Sequence, residues 1–191
     1  MYAKYFKRLI DFSSSLIVLI ILSPLLVLLI ILGAVFMKGN PFFTQDRPGK
    51  NEKIFKLIKF RTMDNRKDKK GNLLPDEVRL NKYGRFLRAS SLDELPELAN
   101  ILKGDMSIVG PRPERPQYVE KFREEIPRYM IKHQVRPGMT GWAQVNGYRG
   151  DTSIRKRIEH DLYYIENWTL GLDIKILFLT VFKGFINKNA Y

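Results

Sequence analysis

The chain has no cysteine and only two histidines, His133 and His160, among its 191 residues. The absence of cysteine excludes disulfides, thiolate-ligated zinc and a thiol nucleophile. Two histidines so far apart in sequence argue against a metal centre built from several imidazoles. Acidic residues are also scarce, because 20 Asp and Glu face 33 Lys and Arg and leave a formal charge of +13. This imbalance favours an anionic partner: nucleic acid, a phospholipid surface or a phosphorylated substrate.

Several common catalytic signatures are missing as well. The sequence contains neither G-x-x-x-x-G-K-[ST] nor G-x-G-x-x-G, so neither of these phosphate-cradling loops is present. It also lacks the G-x-S-x-G nucleophile elbow of serine hydrolases. Residues 147–150 (GYRG) match the GxxG loop with which KH domains bind RNA, but a four-residue match in a glycine-containing loop is weak.

One hydrophobic segment dominates the N-terminal part. No charged residue occurs in 12–37, and 16 of the 21 residues in 16–36 are Leu, Ile or Val. As a helix this stretch would be about 31 Å long, enough to cross a hydrocarbon core. A buried soluble helix is the first alternative, but a domain of this size could hardly cover it on every side. A signal peptide is the second, with Lys4, Lys7 and Arg8 as its basic region, but the apolar run is too long. We expect membrane association.

Ser23 and Pro24 interrupt this segment near its middle. Proline removes the N–H that would bond to the carbonyl of Ile20, and the Ser23 hydroxyl can compensate that carbonyl. A kinked spanning helix and a re-entrant helix–break–helix both explain the break. Basic residues on both flanks favour the second, because the positive-inside rule then places both flanks in the cytoplasm. We therefore predict a re-entrant hairpin over residues 1–37 and a basic cytosolic domain over 38–191.

The cytosolic part reads as a mainly helical α+β domain with a few strands. We predict a β-hairpin from 41–47 and 53–63, and a glycine-rich loop over 136–150. An apolar segment, 172–186, would either close the core or lie in the membrane interface. The periodicity and stop signals predict helices over 76–88, 91–102, 117–125 and 151–167, the last capped by Asp151.

Asp93 and Glu94 are the acidic residues with the clearest catalytic potential. A structural interpretation is open, because Ser91 and Glu94 form an S-x-x-E capping box in which Ser91 caps and Glu94 bonds back. A functional interpretation is open too. A carboxylate at a helix N-terminus stays ionised in the helix dipole, and the free N–H groups favour a phosphate beside it.

Arg112 lies between two prolines, Pro111 and Pro113, a short distance downstream. Because proline restricts the backbone, this frame would hold the guanidinium in a position suited to a phosphate. The alternative is an ordinary turn whose arginine faces water.

The chain resembles the bacterial sugar transferases, the monotopic phosphoglycosyl transferases that act on polyprenyl phosphate. Larger relatives carry additional N-terminal membrane and nucleotide-fold-like regions, so we expect the minimal catalytic form here. Besides the Ser23–Pro24 break, the resemblance covers almost the whole chain in order, through YFKR at 5–8 with DF at 11–12, FTQDRPG at 43–49, KFRTM at 59–63, SLDELP at 91–96, KGDMSIVGPRP at 103–113, RPGMTGWAQVNG at 136–147 and DLYY at 161–164.

The resemblance implies transfer of a sugar-1-phosphate from a UDP-sugar to undecaprenyl phosphate, giving polyprenyl-diphosphate-sugar and UMP. Asp93 would attack the sugar-proximal phosphate and carry a covalent phosphosugar, and Glu94 would bind Mg²⁺. An aspartate is ionised at neutral pH and needs no base, which suits a chain with so few histidines. The reaction would be the first membrane step of a bacterial surface glycan pathway.

The resemblance also implies partners and a location. The enzyme would lie at the inner (cytoplasmic) membrane with its catalytic domain on the cytoplasmic face, and would contact anionic phospholipids and downstream glycosyltransferases but no nucleic acid. Asp161 would be a second carboxylate near the site. The expected phosphate-binding or substrate-binding residues are Lys59, Arg88, Pro111, Arg112, Pro113 and Arg136.

A different class of protein remains open at this point: a membrane-anchored, basic nucleic-acid-binding or scaffold protein without catalysis. It would account for the net charge and the apolar segment. It would leave the combination of Asp93–Glu94 with the Pro-Arg-Pro loop unexplained.

Overall fold

The structure, a computed structural model, describes residues 2–150 and 152–184, and within these ranges the chain is mainly helical with two small sheets. This confirms the predicted α+β class. The α-helices are α1 (Tyr2–Tyr5), α2 (Lys7–Ile21), α3 (Ser23–Phe36), α4 (Asp76–Arg79), α5 (Lys82–Ala89), α6 (Glu97–Lys103), α7 (Pro116–Glu125), α8 (Trp142–Val145), α9 (Ile154–Glu166) and α10 (Leu170–Gly184). The strands are β1 (Phe42–Pro48), β2 (Ile54–Phe60), β3 (Ser107–Val109) and β4 (Gly138–Thr140).

Helices α2 and α3 meet at the predicted break. They are bent by 67° relative to each other, and the Ser23 hydroxyl donates a 2.8 Å hydrogen bond to the carbonyl of Ile20. The expected compensation of that carbonyl is therefore confirmed. No single helix of the described ranges is long and apolar enough to cross a membrane, whereas α2 and α3 together meet both criteria.

Helices α2 and α3 are joined to the rest of the fold by packing and by buried charge. Leu29 of α3 is buried in a cluster with Phe60 and Leu87, while large apolar side chains elsewhere on both helices remain exposed. On α2, Asp11 accepts a hydrogen bond from the Ser107 hydroxyl at 2.7 Å and one from Lys7 at 2.9 Å. These contacts tie α2 to β3, the strand that leads into the Pro-Arg-Pro loop.

The predicted β-hairpin is confirmed with slightly different ends. β1 and β2 pair antiparallel from Phe42–Phe60 to Pro48–Ile54, and a short 3₁₀ turn, Lys50–Glu52, lies between them. The Asn100 side chain accepts from the Ile58 N–H at 3.0 Å and donates to the Lys56 carbonyl at 2.8 Å. It thereby fixes α6 against β2.

Two predicted helices are shorter than expected. The prediction over 76–88 is split into α4 and α5, because Leu80 is extended and Asn81 starts a new helix by capping the Gly84 N–H. The prediction over 91–102 was wrong at its start: Leu92–Glu94 form a 3₁₀ turn, and α6 begins only after Pro96. Its end is right, since α6 stops at Gly104, which has a left-handed backbone.

The region predicted as a loop over 136–150 contains ordered elements. β4 pairs in parallel with β3, and α8 follows it. A β-carbon on Gly138 would lie 2.1 Å from the Gly110 nitrogen, so the glycine permits a backbone contact that sequence periodicity does not reveal.

Helices α9 and α10 complete the fold. The N-cap of α9 is Ser153, whose side chain accepts from the Lys156 N–H, and the predicted cap Asp151 lies outside the described residues. On α10, Ile176 is fully buried in the core while Phe178 is exposed. One side of the segment predicted over 172–186 therefore packs into the core, while its exposed apolar side leaves the membrane-interface alternative a prediction. Its last two residues lie outside the described ranges.

Candidate active site

An open cleft of about 1030 Å³ brings most of the predicted site residues together. It lies beside the β-hairpin of β1 and β2, the 3₁₀ turn Leu92–Glu94 and the Pro-Arg-Pro loop. Eight basic side chains but only two acidic ones line it among the described residues, so the cleft carries a strong positive potential. The predicted residues on its wall are Lys59, Arg88, Asp93, Glu94 and Arg112.

Asp93 and Glu94 occupy the 3₁₀ turn that precedes α6. Ser91 adopts a left-handed backbone with φ of 55° and makes no side-chain cap, so the capping-box interpretation was wrong. Glu94 is directed instead toward three cationic groups. The turn buries both carboxylates, with Asp93 6% and Glu94 5% exposed.

Glu94 is the point on which the cations converge. Its Oε1 accepts hydrogen bonds from Lys59 at 2.7 Å, Arg112 at 2.6 Å and Arg149 at 3.0 Å. Burial disfavours the charge on Glu94, but the charges of Arg112, Lys59 and Arg149 outweigh that effect and hold its pKa well below the usual range. Glu94 is therefore ionised at any working pH.

Asp93 has a different environment although it is the next residue. Burial raises the pKa of the Asp93 carboxyl above its ordinary value, and the nearby charge of Lys59 opposes this shift. Its buried Oδ1 has no hydrogen-bond partner in the part of the chain that the structure describes. An ionised oxygen that no protein group satisfies is poised to react with an electrophile that enters the cleft.

Lys59 links Glu94 to a third carboxylate, Glu97. The Lys59 ammonium lies 2.7 Å from Oε1 of Glu94 and 3.1 Å from Oε1 of Glu97. Burial and the charge of Glu94 raise the pKa of Glu97 to about 6. One lysine thus holds two buried carboxylates together, of which Glu94 lines the cleft.

The proline frame of Arg112 is anchored at both ends. The carbonyl of Pro111 accepts from the Gly138 N–H at 2.9 Å, and the carbonyl of Pro113 accepts from Arg47 at 3.1 Å. Both prolines are buried. The predicted stiffness of the loop is supported by these bonds as well as by the proline rings.

Arg88 enters the cleft from α5 and is held by Thr62. Its Nε donates to the Thr62 hydroxyl at 3.0 Å. The helix can approach this closely because Gly84 faces the Thr62 carbonyl, where a β-carbon would lie only 1.8 Å away. A larger residue at position 84 would push α5, and Arg88 with it, away from Thr62 and the end of β2.

Two predicted site residues lie elsewhere. The Nε of Arg136 donates to the carbonyl of Gly104 at 2.8 Å, and Arg136 lines a separate small cavity with Lys7 and Asp11. Asp161 is 1% exposed and lies 3.1 Å from the ammonium of Lys132, whose side chain is also buried. Their positions indicate structural roles.

Replacing Asp161 by asparagine is expected to lower the free energy of unfolding by about 3–5 kcal/mol, because it leaves Lys132 buried and unpaired. Chemical denaturation would measure this change. The double variant Lys132→Met, Asp161→Leu removes both charges and should lose less. A loss of turnover with unchanged stability would contradict the structural role and indicate that Asp161 acts in catalysis.

Arg149 is the functional candidate that sequence reasoning missed. It lies within GYRG, whose only sequence signal is a weak likeness to an RNA-binding loop. Nothing local to that loop indicates that its arginine reaches Glu94, which is 55 residues away in sequence. Glu97 was missed for the same reason, since it reads simply as the first residue of a helix.

The carboxylates of the cleft fit the expected Mg²⁺ in their donor chemistry. Magnesium prefers oxygen ligands and is commonly held by one or two carboxylates together with substrate phosphates. The three cations all bind Oε1 of Glu94, which leaves its second oxygen available, and the buried Oδ1 of Asp93 is unpartnered among the described residues. No cluster of three or more acidic or imidazole side chains with the geometry of a preformed metal site occurs there.

Comparison with known proteins places the chain in a family. The model of the bacterial sugar transferase family matches residues 2–187. The chain therefore belongs to the bacterial sugar transferases.

Individual relatives agree with this assignment. The UDP-glucose:undecaprenyl-phosphate glucose-1-phosphate transferase of Klebsiella pneumoniae is 47% identical over 192 residues, which cover 97% of this chain and 41% of that protein. The UDP-N-acetylgalactosamine-undecaprenyl-phosphate N-acetylgalactosaminephosphotransferase of Aeromonas hydrophila is 41% identical over 181 residues, or 93% of this chain and 43% of that protein. The chain thus spans less than half the length of these two transferases.

A relative of similar size is the uncharacterized sugar transferase EpsL of Bacillus subtilis (strain 168). It is 48% identical over 184 residues, which cover 95% of this chain and 88% of that protein. The similarity in all three cases extends over nearly the whole chain. It gives no support to a nucleic-acid-binding or scaffold protein.

Proposed function

We propose that the protein transfers a sugar-1-phosphate from a UDP-sugar to undecaprenyl phosphate. The observation that carries the proposal is the pairing of an unpartnered Asp93 oxygen with three cations gathered on the adjacent Glu94. A nucleophile beside a concentrated positive charge is what attack on a diphosphate requires. The names of the relatives from Klebsiella pneumoniae and Aeromonas hydrophila support the same reaction.

The reaction would proceed in two balanced steps. An Asp93 oxygen attacks the sugar-proximal phosphorus, a new P–O bond forms, and the bond to the UMP oxygen breaks so that UMP leaves with that electron pair. A phosphate oxygen of undecaprenyl phosphate then attacks the same phosphorus and displaces the Asp93 carboxylate. The products are UMP and polyprenyl-diphosphate-sugar, and Asp93 is regenerated.

Electrostatic stabilisation would supply most of the rate enhancement. An anionic nucleophile must approach an anionic diphosphate, so neutralising and positioning the phosphates is the main requirement. Lys59, Arg112 and Arg149 already converge within 3.0 Å of one anionic oxygen, and Arg88 lies on the same wall. These cations would rebind to phosphate oxygens when the donor enters.

Glu94 would hold Mg²⁺ through the oxygen that the three cations leave available. The ion would supply further neutralisation of the diphosphate. Glu94 suits this role because its low pKa keeps it ionised even though it is buried.

The location of the site would match the acceptor. The phosphate of a polyprenyl phosphate lies at headgroup depth, so a re-entrant α2–α3 hairpin would keep the cleft at that level on the cytoplasmic face of the inner membrane. The charge of +13 would add attraction to anionic phospholipids, at about 1 kcal/mol for each well-placed basic residue. The polyprenyl-diphosphate-sugar product would pass to downstream glycosyltransferases of a surface glycan pathway.

UMP release tests the function directly. Purified protein, Mg²⁺ and undecaprenyl phosphate are incubated with a panel of UDP-sugars, and both UMP and the lipid-linked product are quantified. At least one donor should give the two products in equal amounts. Failure of every donor, with the folded state verified, would reject the proposed function.

The topology of the hairpin can be tested with single cysteines, because the chain has none of its own. Cysteines placed at Ala3 and at Lys53 should show the same accessibility to a membrane-impermeant thiol reagent in intact cells. Opposite accessibility of the two sites would contradict re-entrance.

The variant Pro24→Ala supplies the matched comparison for that experiment. Alanine restores the missing N–H and favours a straight helix. We expect this change to shift part of the population toward a membrane-spanning form in which the two cysteines differ.

A further inference from the structure

The loop that carries Arg149 is fixed on one side by Tyr148, whose ring centroid lies 4.6 Å from that of His160 and whose N–H donates to the Ala143 carbonyl at 2.9 Å. Arg149 lies between Gly147 and Gly150, which have φ values of 89° and 66°, and a β-carbon on either glycine would meet nothing within 4 Å. A long side chain on such a backbone has many conformations available, and holding it on Glu94 has an entropic cost. A second contact, on the Gly150 side, is needed to restrict the position of Arg149.

Arg157 of α9 makes that contact. Its Nη2 donates to the carbonyl of Gly150 at 2.6 Å, directly beside Arg149 in the chain. Its Nη1 donates to Oε2 of Glu114 at 3.2 Å, immediately after the Pro-Arg-Pro frame. One guanidinium thus bridges the two loops that carry Arg112 and Arg149. The Arg157 side chain is only 12% exposed.

Glu114 is itself fixed, so it can serve as the anchor of the bridge. Its Oε1 accepts from the Arg115 N–H at 3.0 Å and lies 4.0 Å from Arg47, while its side chain is 17% exposed. Arg47 in turn bonds to the Pro113 carbonyl. Arg47 of β1 thus contacts both the proline frame and Glu114. Glu114 binds Arg157, and Arg157 binds the glycine-flanked loop that carries Arg149.

We infer that Arg157, anchored by Glu114, is a positioning residue that places Arg149 for phosphate binding. This inference rests on the proposed function for the identity of the substrate, although the anion site itself can be probed without turnover. A small displacement of a phosphate-binding group is costly in this kind of site, because positioning and charge supply most of the catalysis.

The test compares Arg157→Lys and Glu114→Gln with Arg155→Lys, a matched change at an exposed position of the same helix. Lysine keeps the charge but loses the fork that spans two acceptors. Binding of inorganic pyrophosphate to the full chain is measured by calorimetry, together with kcat and KM for the best UDP-sugar. We expect Arg157→Lys to weaken pyrophosphate binding about 10-fold, Glu114→Gln to weaken it less, and Arg155→Lys to change nothing.

Combination with Arg149→Ala separates positioning from general stability. If Arg157 acts through Arg149, then Arg157→Lys should weaken pyrophosphate binding less than about 2-fold in the Arg149→Ala background. An equal loss in both backgrounds, or unchanged binding in the single Arg157→Lys variant, would overturn the inference. The pyrophosphate measurement still decides this question if no UDP-sugar is turned over, so failure of the proposed function would be recognised separately.

Discussion

Replacement of Asp93 by asparagine is expected to abolish turnover and leave the fold intact. The amide has nearly the same shape but cannot form an acyl-phosphate. Burial disfavours the ionised carboxylate and raises its pKa, so above the ordinary carboxyl pKa the charge lowers the stability of the folded state. The neutral amide should therefore leave the melting temperature unchanged or slightly higher while activity disappears.

The donor alone gives the decisive measurement for this variant. The wild-type protein should release about one UMP per active site from a UDP-sugar and acquire the mass of a phosphosugar on the peptide that contains Asp93. The Asp93→Asn protein should do neither. Labelling of the variant, or a wild-type protein that reacts only when both substrates are present, would replace the two-step mechanism with direct transfer.

The pH dependence of kcat/KM for the wild-type enzyme should reflect the titration of Asp93. Because Asp93 must be ionised to attack and its pKa is raised above 3.8, kcat/KM should fall as the pH decreases through that raised value. Glu94 adds no loss in this range, since its pKa is lowered.

Replacement of Glu94 by glutamine should have the second largest effect, a loss of about 10²–10³-fold in kcat/KM. Glutamine retains the shape of the side chain but removes the charge on which Lys59, Arg112 and Arg149 converge. It also removes the proposed ligand of Mg²⁺. Raising the Mg²⁺ concentration should therefore restore part of the activity in a titration of initial rates.

Glu97→Gln is the matched control for this experiment. Glu97 is also buried and lies three residues further along the chain. Of the three cations that bind Glu94, only Lys59 also contacts Glu97 among the described residues. We expect a smaller loss and an unchanged Mg²⁺ requirement. A Glu94→Gln enzyme with rates within threefold of wild type would remove Glu94 from the mechanism.

Local chemistry determined several features that the sequence alone predicts correctly. The break between α2 and α3 follows from one proline and one hydroxyl. The β-hairpin of β1 and β2 follows from two strand-forming runs on either side of the turn residues Pro48 and Gly49. The stiffness around Arg112 follows from its two flanking prolines. The capping box shows where this reasoning ends. Ser91 and Glu94 have the right spacing, but the three cations satisfy Glu94 more strongly than the backbone N–H of a helix could.

Only the tertiary structure decided which charges meet. Arg136 and Asp161 stand in motifs as suggestive as that of Arg112, yet one holds the carbonyl of Gly104 and the other pairs with Lys132. Arg149 gave almost no signal, yet it binds Glu94 in the cleft. Dihedral preferences and caps act over a few residues and can be derived from the sequence, whereas the partner of a buried charge depends on how distant segments pack. That packing depends here on contacts such as the approach of Gly138 to Gly110 and the Arg157 bridge, and neither is encoded in a local pattern.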